Sequence, residues 1–277
     1  MTDALRLPDF IIAGAAKSAT TWLQRSLQQS AAIHMPDHEP HFFSRRYDKG
    51  IDTYLEELGQ APDGVLLGEK SNSYLTEPEA AARIHKHIPD VKLVFQLRNP
   101  VARAYSDYCM LLRRGEVDAD IAQHLDPDKA AEGRFLGDGR YAHHLQRFYD
   151  LFAPEQILVL RYEDVLSDPE GQLAKLGQHL GLSDALAPPL QSRVKDARAT
   201  AVPRPLRKIL APFRPLLDPL RETAPMVKLR NLVARPQRYP AFEPSLKSAV
   251  RSYYQPQIDE LSKLTATDFD IWRTDKG

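Results

Sequence analysis

Side chains able to hold and polarise an anion gather at two places in the 277-residue sequence. The first is Gly14-Ala15-Ala16-Lys17-Ser18-Ala19-Thr20-Thr21, a turn between an apolar run and a helical pattern. Its small residues let backbone N–H groups approach an anion, and the N-terminus of a following helix adds partial positive charge. Lys17, Ser18, Thr20 and Thr21 then supply a cation and hydroxyl donors, so the turn is suited to phosphate. It is not the G-x-x-x-x-G-K-[ST] loop of nucleoside triphosphatases, because Ala16 stands where that loop requires glycine. The second place is Arg98-Asn99-Pro100-Val101-Ala102-Arg103-Ala104-Tyr105-Ser106. In an open α/β sheet, ligands bind beyond the carboxyl ends of strands, so Arg98 should face the same crevice as Lys17, with Ser106 about two helical turns further on. Triphosphatases want a magnesium-holding acid near this strand end, and an arginine stands there instead, so no metal ligand presents itself. Two plainer readings stay open: a structural turn rich in small residues, and an arginine paired with a structural acid.

The elements that must position these residues are legible as short apolar runs alternating with amphipathic stretches. Strands are expected at 10–13, 65–68, 91–97 and 156–160, each bounded by Gly, Pro or Asn. Helices are expected at 21–27, with Thr20 or Ser18 as N-cap, and at 78–87, 101–114, 141–152, 169–180 and 244–264. That alternation predicts an α/β, P-loop-like three-layer fold, a central parallel sheet flanked by helices, in one domain spanning 1–277. Between 193 and 238 the composition shifts to 12 Lys/Arg against 3 acids with 7 prolines. This is either an irregular solvated stretch or a basic lid-like segment, reaching to about 240, that closes over an anion.

Composition narrows the function. With 37 Lys+Arg against 37 Asp+Glu, the surface is not built to coat nucleic acid or an anionic membrane, so no nucleic-acid partner is expected. The single cysteine, Cys109, excludes an intramolecular disulfide and a Cys-rich metal site, and fits a reducing compartment. No run of about 18 apolar residues and no leader-like N-terminus is seen, giving the expectation of a cytoplasmic protein without stable membrane insertion. His34, His38 and His41 have spacing that a metal could use, but no cysteine or carboxylate completes a convincing set. His85, His87, His143 and His144 read as solvated helix-surface residues, and Cys109, Trp22, Tyr253 and Tyr254 as packing residues.

The motifs carry a resemblance. Lys17-Ser18-Ala19-Thr20-Thr21-Trp22-Leu23 resembles the 5′-phosphosulfate loop of PAPS-dependent sulfotransferases, and Arg98-Asn99-Pro100 with Ser106 resembles their 3′-phosphate motif. Glu39-Pro40-His41-Phe42-Phe43 resembles the segment carrying the catalytic glutamate in the carbohydrate, heparan-sulfate-type branch. Gly68-Glu69-Lys70-Ser71-Asn72-Ser73-Tyr74 is similar to that branch's second lysine segment, and Leu160-Arg161-Tyr162-Glu163-Asp164 fits a later strand and helix. The resemblance implies transfer of a sulfuryl group from 3′-phosphoadenosine 5′-phosphosulfate (PAPS), without a metal, to a hydroxyl or amine of a saccharide or glycoconjugate, with 3′-phosphoadenosine 5′-phosphate (PAP) as product. A small secondary metabolite or lipid alcohol is the alternative acceptor, and a P-loop small-molecule kinase or a non-catalytic anion-binding protein are the rival functions.

In this reading Lys17 stabilises the departing phosphate oxygen, Glu39 is the general base, His41 orients the acceptor or tunes Glu39, and Lys70 touches donor or acceptor. Donor contacts extend over Lys17, Ser18, Ala19, Thr20, Thr21 and Trp22, with Arg98 and Ser106 on the 3′-phosphate and Tyr162 near the adenine. Arg238, in Arg235-Pro236-Gln237-Arg238-Tyr239-Pro240, is the counterpart of the family's basic closing loop, although the glycine of that loop is absent. The family also has glycine where Ala19 stands; alanine fits there without strain only if its φ is negative.

Overall fold

In the computed structural model of the chain, residues 5–189 and 239–274 are described; the basic 193–238 stretch, with Arg238, lies outside them. Five strands form one parallel sheet: β1 (Phe10–Gly14), β2 (Ile33–His34), β3 (Leu66–Lys70), β4 (Lys92–Leu97) and β5 (Ile157–Arg161), in the order β2-β3-β1-β4-β5. The helices are α1 (Thr20–Leu27), α2 (Ile51–Leu58), α3 (Ala80–His87), α4 (Pro100–Arg114), the short α5 (Ile121–Leu125), α6 (Pro127–Ala130) and α7 (Arg134–Gly137), α8 (Tyr141–Tyr149), α9 (Asp164–Ser167), α10 (Pro169–Leu180) and α11 (Pro244–Thr265). Among the described residues no helix is long and apolar enough to cross a membrane.

Alternation along β1 shows why the central strands read as continuous apolar runs. Phe10 and Ile12 enter the core layer built with Trp22, Leu23, Leu27, Leu173 and Leu176, whereas Ile11 and Ala13 enter the opposite layer with Phe95, Leu145 and Phe148. Both faces of β1 are covered, which suits the wholly apolar run Phe10-Ile11-Ile12-Ala13. Each leucine, isoleucine or phenylalanine side chain among these, removed fully from water, contributes about 1.5–3 kcal/mol. Phe10 pairs in register with Gly68 on β3, and a Cβ at Gly68 would fall inside the Phe10 ring. Glycine at 68 is therefore a packing requirement set by its neighbouring strand.

α4 begins sharply because Asn99 accepts from the N–H groups of Val101 (3.0 Å) and Ala102 (3.4 Å), with Pro100 in the first turn where its missing N–H costs nothing. It ends at Gly115, whose φ of +77° suits a left-handed cap. At the other end of the chain, α11 lays Val250, Tyr254, Ile258 and Leu261 into the core, and the Tyr254 hydroxyl donates to the Leu136 carbonyl at 2.7 Å.

The strand order switches sides at β1, with β3 on one flank and β4 on the other. The turn after β1, the end of β3 and the turn after β4 thus face one crevice, the ligand position expected of such sheets. Several expectations shift in detail. The two-residue β2 and the helix α2 were not foreseen, the stretch 115–139 contains three short helices, and α8 stops at Tyr149. The helices α10 and α11 start where the sequence places them, at Pro169 and Pro244.

Candidate functional site

The turn after β1 is held from behind. The Ser18 carbonyl accepts from buried Gln96 Nε2 on β4, and Gln172 Nε2 on α10 donates to Gln96 Oε1 at 3.0 Å. The Lys17 carbonyl accepts from Arg98 Nη1 at 3.3 Å. In a trans peptide, C=O and N–H point in opposite directions. Tying these two carbonyls to the protein therefore turns the N–H groups of Ser18 and Ala19 away from Gln96 and Arg98, an orientation that suits an anion. The Ser18 hydroxyl is fully buried and finds no partner among the described residues, which is the orphaned donor an anionic ligand would satisfy.

The expected side-chain N-cap is not formed. Ala19 is the N-cap of α1, with φ +59° and ψ +29°, and neither Ser18 nor Thr20 caps the helix. Lys17 is also left-handed, with φ +71°. The negative φ that would make alanine comfortable at 19 is thus not what the chain adopts, because the backbone must swing the N–H groups inward over this short turn. Ala19→Gly is expected to raise unfolding stability by about 1 kcal/mol, since glycine relieves the left-handed strain and is the better N-cap. A denaturant midpoint that stays put or falls would show that the position is not strained.

Beyond β4, the Arg98 guanidinium lies 4.6 Å over the Tyr162 ring. Tyr162 is thereby a platform beneath the arginine, and its own N–H donates to the Leu97 carbonyl at 2.6 Å. Ser106 is half-buried in α4. One turn further on the same helix, Met110 Sδ lies 3.6 Å from Lys17 Nζ, so this face of α4 borders the turn after β1. Trp22 is buried and packs in the core behind the turn.

A second group of charges meets this crevice from the β3 side. Glu39 Oε1 lies 3.0 Å from Lys70 Nζ, and Lys70 Nζ donates to Thr21 Oγ1 at 3.1 Å. Lys70 is 3% exposed and Glu39 19%, so the pair is mostly withdrawn from water, with the carboxylate nearer the opening. Glu39 Oε2 accepts from the Asn72 N–H at 3.2 Å. His41 Nε2 stands 3.6 Å from the same oxygen, beyond hydrogen-bond length, while His41 Nδ1 lies 2.7 Å from Ser73 Oγ. Burial holds the His41 imidazole below its ordinary pKa, opposed by the Glu39 charge and helped by Arg45 and Lys70. His41 also has a left-handed backbone, φ +51°, pinned by its N–H donating to Ser71 Oγ at 2.8 Å. Asn72 and Ser73 were not anticipated. Asn72 acts through its backbone, which no side-chain pattern announces.

Behind this group sits Glu69, fully buried, accepting from Ser71 Oγ (2.8 Å) and Tyr54 OH (3.1 Å). Burial raises its carboxyl to about 7 from the ordinary 4.5, against the pull of those hydrogen bonds. The native state then keeps a proton that the unfolded chain has released, so this group's contribution to stability falls as pH rises from about 4.5 to about 7. The fall is on the order of 3 kcal/mol at 1.36 kcal/mol per pKa unit. Glu69→Gln should flatten that part of the stability-versus-pH curve, measured by denaturant unfolding at stepped pH, and an unchanged slope would refute the assignment.

The histidines expected on helix surfaces divide. His143 is exposed, but His144 is buried, with Nε2 2.9 Å from the Gly137 carbonyl and a pKa lowered by burial to about 4. His87 pairs with Tyr47 OH at 3.0 Å, and His85 sets its edge against Phe152. Cys109, Tyr254 and Trp22 are packing residues as expected.

The sequence model of the sulfotransferase domain family matches residues 7–199. The chain belongs to the sulfotransferase family. Among curated relatives, heparan sulfate glucosamine 3-O-sulfotransferase 3B1 of Homo sapiens is 34% identical over 183 residues, covering 64% of this chain and 47% of the relative. Heparan sulfate glucosamine 3-O-sulfotransferase 6 of Mus musculus is 35% identical over 182 residues, covering 64% of this chain and 53% of the relative. The chain thus spans about half the length of the curated relatives it matches. Among solved structures, a sulfotransferase from Alicyclobacillus acidocaldarius superposes with a TM-score of 0.72 at 23% identity, covering 97% of this chain and all of that one. The fold is therefore the P-loop-like sulfotransferase fold. The sulfotransferase match takes in the turn after β1, the Glu39 loop, the end of β3 and the Arg98 motif, and it ends before α11.

Proposed function

We propose that this protein transfers a sulfuryl group from PAPS to a hydroxyl, or an amine, of a saccharide or glycoconjugate. The observation that carries the reading is the bridge Glu39–Lys70–Thr21: one buried lysine ties a carboxylate at the crevice mouth to a hydroxyl of the anion-binding turn. A base for an acceptor proton and a cradle for a phosphate are thereby held within a few ångströms of one cation. A kinase would need an acid near β4 for magnesium, and Arg98 follows that strand instead. The saccharide acceptor is supported by the relatives, which are heparan sulfate glucosamine 3-O-sulfotransferases.

PAPS supplies an activated sulfuryl group whose departure leaves negative charge on the bridging oxygen of its 5′-phosphate. The N–H groups of Ser18 and Ala19, the Ser18 hydroxyl and Lys17 hold that phosphate at the N-terminus of α1 and stabilise the charge as it develops. Arg98, braced on Tyr162, and Ser106 hold the 3′-phosphate. Glu39 takes the proton from the acceptor hydroxyl as its oxygen bonds to sulfur and the sulfur–oxygen bond to the phosphate breaks, so PAP leaves with the electron pair. The Asn72 N–H and Lys70 aim the Glu39 carboxylate. His41, kept neutral by burial, lies beside the same carboxylate, where it can orient the acceptor.

The test is transfer of labelled sulfate from PAPS to a panel of heparan-type oligosaccharides and small aryl or alkyl alcohols, in chelator. Label in the oligosaccharides supports the proposal. Label confined to the small alcohols would move the acceptor to that class. Transfer of phosphate from ATP with magnesium, and none from PAPS, would overturn it.

A further inference from the structure

The Arg98–Asn99 peptide group is gripped at both ends, and one residue from the far end of the chain stands behind both grips. Its carbonyl accepts from the Tyr141 hydroxyl at 2.9 Å. Its N–H, that of Asn99, donates to Glu163 Oε1 at 2.9 Å. The other oxygen of that carboxylate, Oε2, accepts from Trp272 Nε1 at 2.9 Å, and the Trp272 ring lies 6.0 Å from the Tyr141 ring at an interplanar angle of 56°. Trp272 is 1% exposed and belongs to the turn Asp270–Arg273, outside the 7–199 span that matches the sulfotransferase family.

A peptide plane fixed through both its C=O and its N–H cannot rotate, and this plane sets two directions. It sets where the Arg98 side chain leaves the strand, and it sets the start of α4, since Asn99 is that helix's N-cap and Ser106 lies in its second turn. We propose that Trp272 is a positioning residue for recognition of the donor's 3′-phosphate, acting through Glu163 and Tyr141 on the Arg98–Asn99 peptide. The proposal rests on the assignment of Arg98 and Ser106 to that phosphate. The C-terminal turn is tied down independently, because Arg161 Nη1 donates to the Asp268 carbonyl at 2.9 Å and Phe269 is fully buried. Loss of one indole N–H therefore leaves the turn docked while the carboxylate it steadies loses a partner.

The experiment is calorimetric titration of the full chain with PAP and, separately, with adenosine 5′-monophosphate, which lacks the 3′-phosphate. Two variants are compared with the wild type: Trp272→Phe keeps an aromatic ring and removes the N–H, and Tyr141→Phe keeps the ring and removes the hydroxyl from the other end of the same peptide. Each should weaken PAP about fivefold to tenfold, the scale of one lost hydrogen bond, and weaken the monophosphate distinctly less, since its phosphate is reached from Arg98 only through the Lys17 carbonyl. A purely packing role would weaken both nucleotides equally or neither, and either result overturns the proposal. If the wild type itself shows no preference for PAP over the monophosphate, the donor assignment fails and the proposal falls with it.

Discussion

Glu39→Gln should lower sulfuryl transfer by about 10²–10⁴-fold, the usual contribution of a positioned general base, while PAP affinity stays within about twofold of the wild type. The substitution keeps the volume of the side chain and an oxygen that can accept from the Asn72 N–H or from Lys70. What it removes is the capacity to take a proton. The two readouts must therefore separate: turnover measured in single-turnover mode with saturating PAPS collapses, and calorimetric binding does not. Near-full turnover in the variant would show that Glu39 is a loop carboxylate and that the acceptor loses its proton elsewhere. Equal loss of turnover and PAP binding would show that glutamine disturbs the buried Lys70 instead, with the damage passing through Thr21 into the anion-binding turn.

Lys17→Met carries the second large effect. Lys17 stands in the turn at φ +71°, just before α1, with its Nζ beside Met110 Sδ. In the proposed reaction, charge on the bridging oxygen is small in the bound donor and large in the transition state, so the ammonium contributes mainly to the latter. Methionine retains the apolar stem and removes the charge. The expected loss is about 10²–10³-fold in kcat, comparable to removal of one oxyanion donor, with a much smaller change in PAP affinity. A variant whose donor affinity falls as far as its kcat would place Lys17 in ground-state binding.

The sequence made much of this arrangement legible, for identifiable physical reasons. β1 and β4 are buried on both faces and so show as apolar runs, unbroken in β1 and interrupted in β4 by Gln96, and α4 and α10 open with Asn-Pro and Asp-Pro signals that fix their starts. The site residues foreseen at 17, 21, 70 and 98 meet around one crevice because each follows or ends β1, β3 or β4, the strands at the switch in sheet order, and Glu39 reaches it from the loop after edge strand β2 through Lys70. Other features left no local trace. β2 is two residues long, too short for a period. Ala19 takes a backbone conformation that its side chain disfavours, which the tertiary ties of the Lys17 and Ser18 carbonyls impose against local preference. His144 sits on a helix whose polarity suggests a wet face, but it is buried with its ring against the Gly137 carbonyl at the end of α7, and only packing reveals that. The contact of Trp272 with Glu163 spans 109 positions of sequence, beyond the reach of any motif.

The most direct test of the central claim is calorimetric titration with PAP in the presence of chelator, run beside ATP with magnesium. The account predicts tight, metal-independent binding of PAP, because Arg98 and Ser106 recognise a 3′-phosphate that ATP lacks, and much weaker binding of ATP. Preference for ATP with magnesium would contradict it.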